Sequence, residues 1–103
     1  MVGMCLRFWP EWAWLKEAVD SSRYGKVQAA HFQRIAEPPA WGQAIYFDGE
    51  TSGGALFDLH VHDTDFVQHV FGRPKSVYST GFTKVSGAID HVLTQYEVES
   101  GAK

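Results

Sequence analysis

One stretch near the middle of the chain decides how the fold is interpreted. From residue 53 to residue 72 it reads Gly53-Gly54-Ala55-Leu56-Phe57-Asp58-Leu59-His60-Val61-His62-Asp63-Thr64-Asp65-Phe66-Val67-Gln68-His69-Val70-Phe71-Gly72. Ser52 is a candidate N-cap in front of it, and Gly72 followed by Pro74 is a typical helix stop. Five apolar residues can supply one packing face: Leu56, Leu59, Phe66, Val67 and Val70. The stretch therefore predicts an amphipathic helix.

The same helix carries a polar stripe opposite its apolar face. At about 100° per residue, four side chains fall within roughly 60° of each other: Asp58, His62, Asp65 and His69. Two carboxylates and two imidazoles are expensive to bury without partners, so the stripe is expected to face an open cleft. A carboxylate one turn before a histidine can fix the tautomer of the ring and suit it to remove a hydroxyl proton. Ordinary solvated surface residues are the alternative for Asp65 and His69.

A competing interpretation treats residues 55–62 as a strand. Asp58-Leu59-His60-Val61-His62 then resembles the Asp-x-His-x-His motif of amidohydrolase-type metal enzymes, in which two histidines on one strand face converge on a metal. That motif normally closes the first strand of a barrel of more than about 200 residues. Only about 40 residues follow here, so a metal hydrolase built on Asp58, His60 and His62 is the weaker hypothesis.

On either side of this stretch, the pattern alternates between helix and strand. Pro10 opens a predicted helix that extends to Ser22, with Glu11 at the positive end of its dipole. A strand is predicted from Lys26 to Ala36, ended by Pro38-Pro39. Two further strands are predicted, from Ser76 to Lys84 and from His91 to Glu99, the second with clear alternation. The fold class is therefore α+β, with a partial open sheet of about three or four strands and two helices packed on one face.

Residues 37–53 are predicted to form a long irregular connection, and loops of this length in small domains are often functional. Trp41, Tyr46 and Phe47 can line a pocket there or simply pin the loop to the core.

Length and composition exclude several classes of protein. The chain has 103 residues, 45% of them hydrophobic, which fits one domain and excludes disorder, a complete TIM barrel and a complete two-domain dehydrogenase. A net charge of −3 gives no reason to expect nucleic acid or an anionic membrane as partner. Nothing approaches the roughly 18 apolar residues of a membrane span. Cys5 is the one cysteine, so no internal disulfide is possible and a cytoplasmic location is the default expectation.

The central stretch, from Gly53 to Phe66, resembles the substrate-domain helix of the glucose-fructose oxidoreductase/inositol dehydrogenase (Gfo/Idh/MocA) family. In that family a Gly-Gly-x-Leu-x-Asp-x3-His-x2-Asp pattern opens a helix at the active site. Further pieces agree in order along nearly the whole chain: Leu6-Arg7-Phe8-Trp9-Pro10, Tyr24-Gly25-Lys26-Val27, Phe71-Gly72 and Pro74-Lys75-Ser76-Val77.

The resemblance implies an NAD(P)-dependent dehydrogenase or reductase acting on a sugar, an inositol or a related polyol. Asp58 and His62 occupy the catalytic positions of the family pattern: His62 exchanges the proton of the substrate alcohol, and Asp58 orients substrate and histidine. Asp65 matches the last acidic residue of the pattern, for which a supporting or substrate-binding role is expected. Trp41, His31 and Arg34 are further candidate substrate contacts, although a packed or surface position is the alternative for His31.

The chain also departs from the family pattern. Gly-x-Gly-x-x-Gly occurs nowhere, and the Glu-Lys-Pro segment with the catalytic lysine is missing. Residues 1–103 are therefore expected to form a single, incomplete C-terminal substrate and oligomerisation domain without its Rossmann domain. NAD or NADP is expected in the full-length protein, none is expected to bind this chain alone, and the isolated chain is expected not to turn over.

The expected partners follow from the same departures. A sheet cut short leaves unpaired edges, so a homodimer or larger assembly through edge pairing or strand exchange is predicted, alongside the missing Rossmann domain and a small polyol substrate. The alternative to an oxidoreductase is a non-catalytic ligand-binding or interaction module.

Overall fold

A computed structural model describes residues 3–102. The elements follow in this order: a 3-10 turn Cys5–Phe8, α1 Pro10–Asp20, a 3-10 turn Ala40–Gly42, α2 Gln43–Tyr46, α3 Gly49–Ser52, a π-helical turn Leu56–His60, α4 Val61–Phe71, β1 Ser76–Phe82 and β2 His91–Glu97. The predicted α+β class is confirmed. None of the helices between residues 3 and 102 has the length and hydropathy needed to cross a bilayer.

The first predicted helix forms where its start signals placed it. Trp9 is extended, Pro10 takes the first helical position and Glu11 lies in the first turn. Proline suits that position because its missing N–H has no intrahelical acceptor there. Lys16 donates to the Asp20 carboxylate one turn later, and the helix ends at Asp20, two residues before the predicted end.

The predicted central helix is interrupted near its start. Ser52 ends α3 instead of capping the long helix, and Gly53 and Gly54 follow with φ angles of +73° and +66°. These left-handed conformations favour glycine. At Gly54 a Cβ would also lie 2.6 Å from the carbonyl oxygen of Ile89. The chain then enters the π-helical turn and continues as α4, which ends at Gly72 as predicted.

The sheet is an antiparallel pair. β1 and β2 pair from Ser76 opposite Glu97 to Phe82 opposite His91. Both strands begin where the sequence predicted and end two residues earlier. Along β2, half-buried residues at 92, 94 and 96 alternate with exposed ones, so one face of this strand is turned toward the helices.

The prediction of a strand from Lys26 to Ala36 is wrong. Residues 26–36 have no strand assignment, and the described part of the chain forms a sheet of two strands instead of three or four. A strand needs a hydrogen-bonded neighbour, and no such neighbour lies beside this segment within residues 3–102. The predicted irregular loop at 37–53 differs as well, since it contains the short helices α2 and α3.

The core lies where α1 crosses α4. Leu6 and Phe66 are almost completely buried and form a cluster with Val70. Partly buried residues surround them: Trp12, Leu15, Val19, Phe32 and Phe71. The Trp12 ring meets Phe66 edge-on at 4.6 Å between centroids, and Phe32 lies 6.0 Å from Phe66. These aromatic contacts hold the segment around Phe32 against the two helices.

Asp90 orders the connection between the strands. Its carboxylate accepts hydrogen bonds from the backbone N–H groups of Lys84 and Val85, both at 2.6 Å, and from Ser86 at 3.2 Å. Hydrogen bonds from Ser86, Val85 and Lys84 hold the pKa of this carboxyl far below its usual range. A single charged side chain thus satisfies three loop donors and fixes the start of β2.

Candidate functional site

A cavity of about 540 Å³ lies between residues 30–35 and β2. Its apolar lining includes Leu59, Val67 and Phe71 from the π-helical turn and α4. Two of the predicted substrate contacts, His31 and Arg34, line this cavity on the side of the extended segment. The structure therefore brings these two residues together.

Arg34 is already engaged in this cavity. Its Nη2 donates to Asp63 Oδ1 at 2.8 Å, and both side chains are mostly buried. This ion pair ties the extended segment to α4. Because it is partly buried, salt screens it less than it screens an exposed pair. Arg34 is thus a structural contact between two elements in this state of the chain.

His60 belongs to a polar network between the π-helical turn and β2. Its Nε2 lies 2.8 Å from Thr94 Oγ1 and 3.4 Å from the Tyr96 hydroxyl. Tyr96 in turn shares a hydrogen bond of 2.7 Å with Thr64 Oγ1. The hydrogen-bonding groups of these four side chains satisfy one another across the contact between helix and sheet. This network holds α4 in a fixed position against β2.

The metal-hydrolase interpretation fails on this geometry. Residues 56–71 are helical, and two helical residues two positions apart project roughly 200° from each other. His60 is bound to Thr94 on the sheet side, so it does not converge with His62. Within residues 3–102, no three side chains of His, Cys, Asp or Glu are grouped to hold a metal ion.

Asp58 and His62 both lie half-buried on the π-helical turn and the first turn of α4. Neither is sealed in apolar packing. No hydrogen bond joins the two side chains among the described residues, and the Nδ1 atom of His62 is buried without a partner there. A buried ring nitrogen without a partner costs about 1–3 kcal/mol, so the position of His62 Nδ1 is unfavourable in the chain by itself.

Asp65 is held by a residue that the helical spacing did not reveal. Arg7 Nε donates to Asp65 Oδ2 at 2.8 Å and Arg7 Nη2 to Oδ1 at 2.5 Å, a two-pronged ion pair. The hydrogen bonds from Arg7 are the main reason that the pKa of Asp65 is lowered, and the nearby His69 and His62 add to the effect. Both carboxylate oxygens are already used, which favours a supporting role for Asp65 over substrate binding.

Trp41 is separate from these groups. Its ring is 82% exposed, packs edge-on against Tyr46 at 6.1 Å and does not line the cavity beside β2. Nothing in the described residues places it with His62 or Arg34. Cys5 is exposed.

The environment of His60 predicts a pH-dependent stability. Burial lowers the pKa of His60, and the nearby Asp63 carboxylate opposes this only in part. The unfolded chain then binds the proton more readily. The contribution to stability is therefore complete above about pH 6.5 and decreases as the pH falls through that value. We expect the melting temperature of the wild type to fall more between pH 7 and pH 5 than that of His60→Gln. His31→Gln, at an exposed position, is the matched control and should behave like the wild type. An equal fall in melting temperature for all three proteins would contradict this prediction.

Comparison with known proteins gives a consistent result over nearly the whole chain. A family model described as the GFO/IDH/MocA C-terminal domain matches residues 12–103. The scyllo-inositol 2-dehydrogenase (NAD(+)) of Bacillus subtilis strain 168 is 30% identical over 110 residues, covering 98% of this chain and 30% of that protein. The inositol 2-dehydrogenase of Rhizobium meliloti strain 1021 is 30% identical over 90 residues, covering 86% of this chain and 26% of that protein. The chain thus spans less than a third of either relative.

Two solved structures have a fold similar to that of this chain. A protein of Sinorhizobium meliloti 1021 assigned as a myo-inositol dehydrogenase superposes with a TM-score of 0.70 at 27% identity, covering 99% of this chain and 32% of that one. A myo-inositol dehydrogenase of Corynebacterium glutamicum superposes with a TM-score of 0.71 at 23% identity, covering 99% and 31%. The second match concerns the fold alone.

Proposed function

Because the chain belongs to the GFO/IDH/MocA family through its C-terminal domain, we propose that it forms the substrate-facing part of an NAD(P)-dependent dehydrogenase. The substrate class is an inositol or a related polyol. Two relatives whose names give inositol as substrate support this class, and one of those names gives NAD(+).

The observation that carries the proposal is the unpartnered Nδ1 of His62. It lies on the half-buried stripe with Asp58, on a helix fixed from both sides. On one side His60 is bound to Thr94, and on the other Arg7 is bound to Asp65. Because Nδ1 is enclosed, the other ring nitrogen, Nε2, is the one that can exchange a proton with a bound hydroxyl group, and the fixed helix holds the ring in place for this.

In this proposal His62 accepts the proton of the substrate hydroxyl that is oxidised. Asp58 has no hydrogen-bond or ion-pair partner within residues 3–102, so its carboxylate is free to accept a hydrogen bond from a neighbouring hydroxyl. Arg7 and Asp65 act as positioning residues, because their ion pair fixes α4 against the N-terminal turn. The chain supplies the proton-transfer half of the reaction.

The residues present do not fit the cofactor itself. Gly53 and Gly54 form the glycine turn before the helical stretch, but this turn is packed against protein. A Cβ at Gly53 would meet Phe57 at 2.8 Å, and one at Gly54 would meet the Ile89 oxygen at 2.6 Å. A phosphate cradle needs open backbone N–H groups at a helix N-terminus. The glycine turn of this chain therefore offers no cradle for the pyrophosphate of a nicotinamide cofactor.

Titration of the ¹⁵N-labelled chain with myo-inositol and scyllo-inositol tests the proposal. The expected result is saturable shifts of the Asp58 and His62 signals, with NAD⁺ alone giving none. Mannitol, a flexible polyol without the ring, is the control ligand and should bind more weakly because its conformations must be ordered on binding. Inositol shifts confined to the cavity beside β2, or saturable NAD⁺ binding by this chain, would contradict the proposal.

A further inference from the structure

The helical stretch that carries the candidate site changes its winding between Asp58 and His62. Asp58 lies in the π-helical turn Leu56–His60, and His62 lies in the first turn of α4. In a regular α-helix, side chains four positions apart project about 40° from each other. A π turn closes its hydrogen bonds over one more residue, so it winds the chain by a smaller angle per residue. The angle between Asp58 and His62 therefore depends on the junction between the two helical forms.

One tyrosine of β2 contacts both sides of this junction. The Tyr96 hydroxyl lies 2.7 Å from Thr64 Oγ1 on α4 and 3.4 Å from His60 Nε2 on the π-helical turn. Both side chains therefore face the same strand, one from each side of the junction. The Tyr96 hydroxyl forms a bridge across the junction from a fixed point on the sheet.

The two ends of this bridge are held to the sheet unequally. His60 has a second partner, because Thr94 Oγ1 lies 2.8 Å from its Nε2 and is itself 2.9 Å from Ser79 Oγ of β1. Among the described residues, the Thr64 hydroxyl has its hydrogen bond to the sheet through Tyr96. The position of α4 relative to the π-helical turn is therefore set at Tyr96.

Tyr96 acts on the candidate site through geometry and not through charge. Its hydroxyl makes no hydrogen bond to Asp58 or His62 within residues 3–102. Burial lowers the pKa of His60, so this ring is neutral at pH 7, and the nearby Asp63 carboxylate is paired with Arg34. The bridge thus joins two hydroxyl groups and a neutral imidazole, and its loss changes no charge near the site.

We infer that Tyr96 is a positioning residue, whose hydroxyl sets the angle at which Asp58 and His62 are presented to one substrate. The inference rests on the proposed function, in which the two side chains act on neighbouring hydroxyl groups of the same polyol. The ring of an inositol fixes the spacing of those hydroxyls, so both contacts form only when the two side chains are aligned. A misplacement of about 1 Å in such an arrangement can lower a rate by about 10²-fold.

Residual dipolar couplings of the ligand-free, ¹⁵N-labelled chain test the first step of this inference. They report how the N–H bonds of residues 56–60 are oriented relative to those of α4. Tyr96→Phe removes the hydroxyl and keeps the ring, and we expect it to change this orientation. Tyr78→Phe is the matched control, because Tyr78 lies on β1 and is 69% exposed. Its couplings should equal those of the unaltered chain.

Binding of scyllo-inositol to the same proteins tests the second step. We expect Tyr96→Phe to raise the dissociation constant roughly tenfold, whereas Tyr78→Phe leaves it unchanged. Thr64→Val breaks the same bridge from α4, so it should weaken binding in the same way, and it decides the question if Tyr96→Phe does not fold. Because both substitutions remove one interaction, the double variant should bind no more weakly than Tyr96→Phe alone. Two independent structural losses would add instead.

The outcomes separate this inference from the proposed function. Unchanged couplings in Tyr96→Phe would overturn the inference, and so would changed couplings with an unaltered affinity for scyllo-inositol. If the unaltered chain binds no inositol, the proposed function fails, and the couplings alone decide whether Tyr96 sets the angle between Asp58 and His62.

Discussion

Phe66→Ala is expected to remove most of the free energy of unfolding of the chain. The Phe66 side chain is completely buried and contacts both Trp12 and Phe32, so its removal leaves a cavity between α1, α4 and the extended segment. Truncation of a buried phenylalanine costs about 3–5 kcal/mol. A domain of this size has a free energy of unfolding of roughly 5–15 kcal/mol, and a small core lies near the lower end of that range. Urea denaturation followed by far-UV circular dichroism measures the loss.

Phe57→Ala is the matched control for this prediction. The same side chain is removed only nine positions earlier, but Phe57 is 70% exposed on the π-helical turn. Substitutions at such surface positions usually change the free energy of unfolding by less than about 0.5 kcal/mol. Equal losses for both variants would mean that the core does not lie where α1 crosses α4.

The elements that the sequence predicted well are those with local signals. Pro10 and Glu11 mark the start of α1, Gly72 marks the end of α4, and alternation marks β2. Each of these signals acts within one or two turns of the chain. They therefore hold whatever the tertiary context is.

The elements that were predicted wrongly depend on distant partners. Residues 26–36 alternate like a strand, but pairing requires a neighbour that no local pattern supplies, and the segment stays unpaired. The break at Gly53-Gly54 was hidden because a Ser-Gly-Gly sequence reads as a start signal for the following helix. The close approach of the Ile89 carbonyl, which favours glycine at Gly54, comes from a residue 35 positions later.

The same distinction applies to the candidate site. The polar stripe that contains Asp58 and His62 could be predicted from helical spacing and from the family resemblance. The ion pair between Arg7 and Asp65 spans 58 positions, and His60 finds Thr94 across 34. Spacing along one helix says nothing of partners from another element, so the pairing of Arg7 with Asp65 could not be predicted from the sequence.

His62→Asn is expected to abolish most of the turnover of an intact enzyme that carries this chain. If His62 takes the substrate proton, replacing it with an amide that cannot do so should lower kcat by roughly 10²- to 10⁴-fold, the usual contribution of a general base. The measurement uses a chimera in which this chain replaces the 30% of the Bacillus subtilis scyllo-inositol 2-dehydrogenase that it matches. Formation of reduced cofactor with scyllo-inositol reports the rate.

His69→Asn separates this result from a loss of structure. His69 lies two turns further along α4, is also half-buried and also acts electrostatically on Asp65, so the substitution changes the same helix in the same way. Within residues 3–102 the buried, unpartnered ring nitrogen belongs to His62 and not to His69, so His69→Asn should retain kcat within a few-fold. Similar losses in both chimeras would assign the effect to α4 as a whole. If the chimera with the unaltered chain does not turn over, inositol binding by the 103-residue variants replaces the rate measurement. In the proposed arrangement the His62 ring contacts the substrate hydroxyl and the His69 ring does not, so His62→Asn alone should weaken binding.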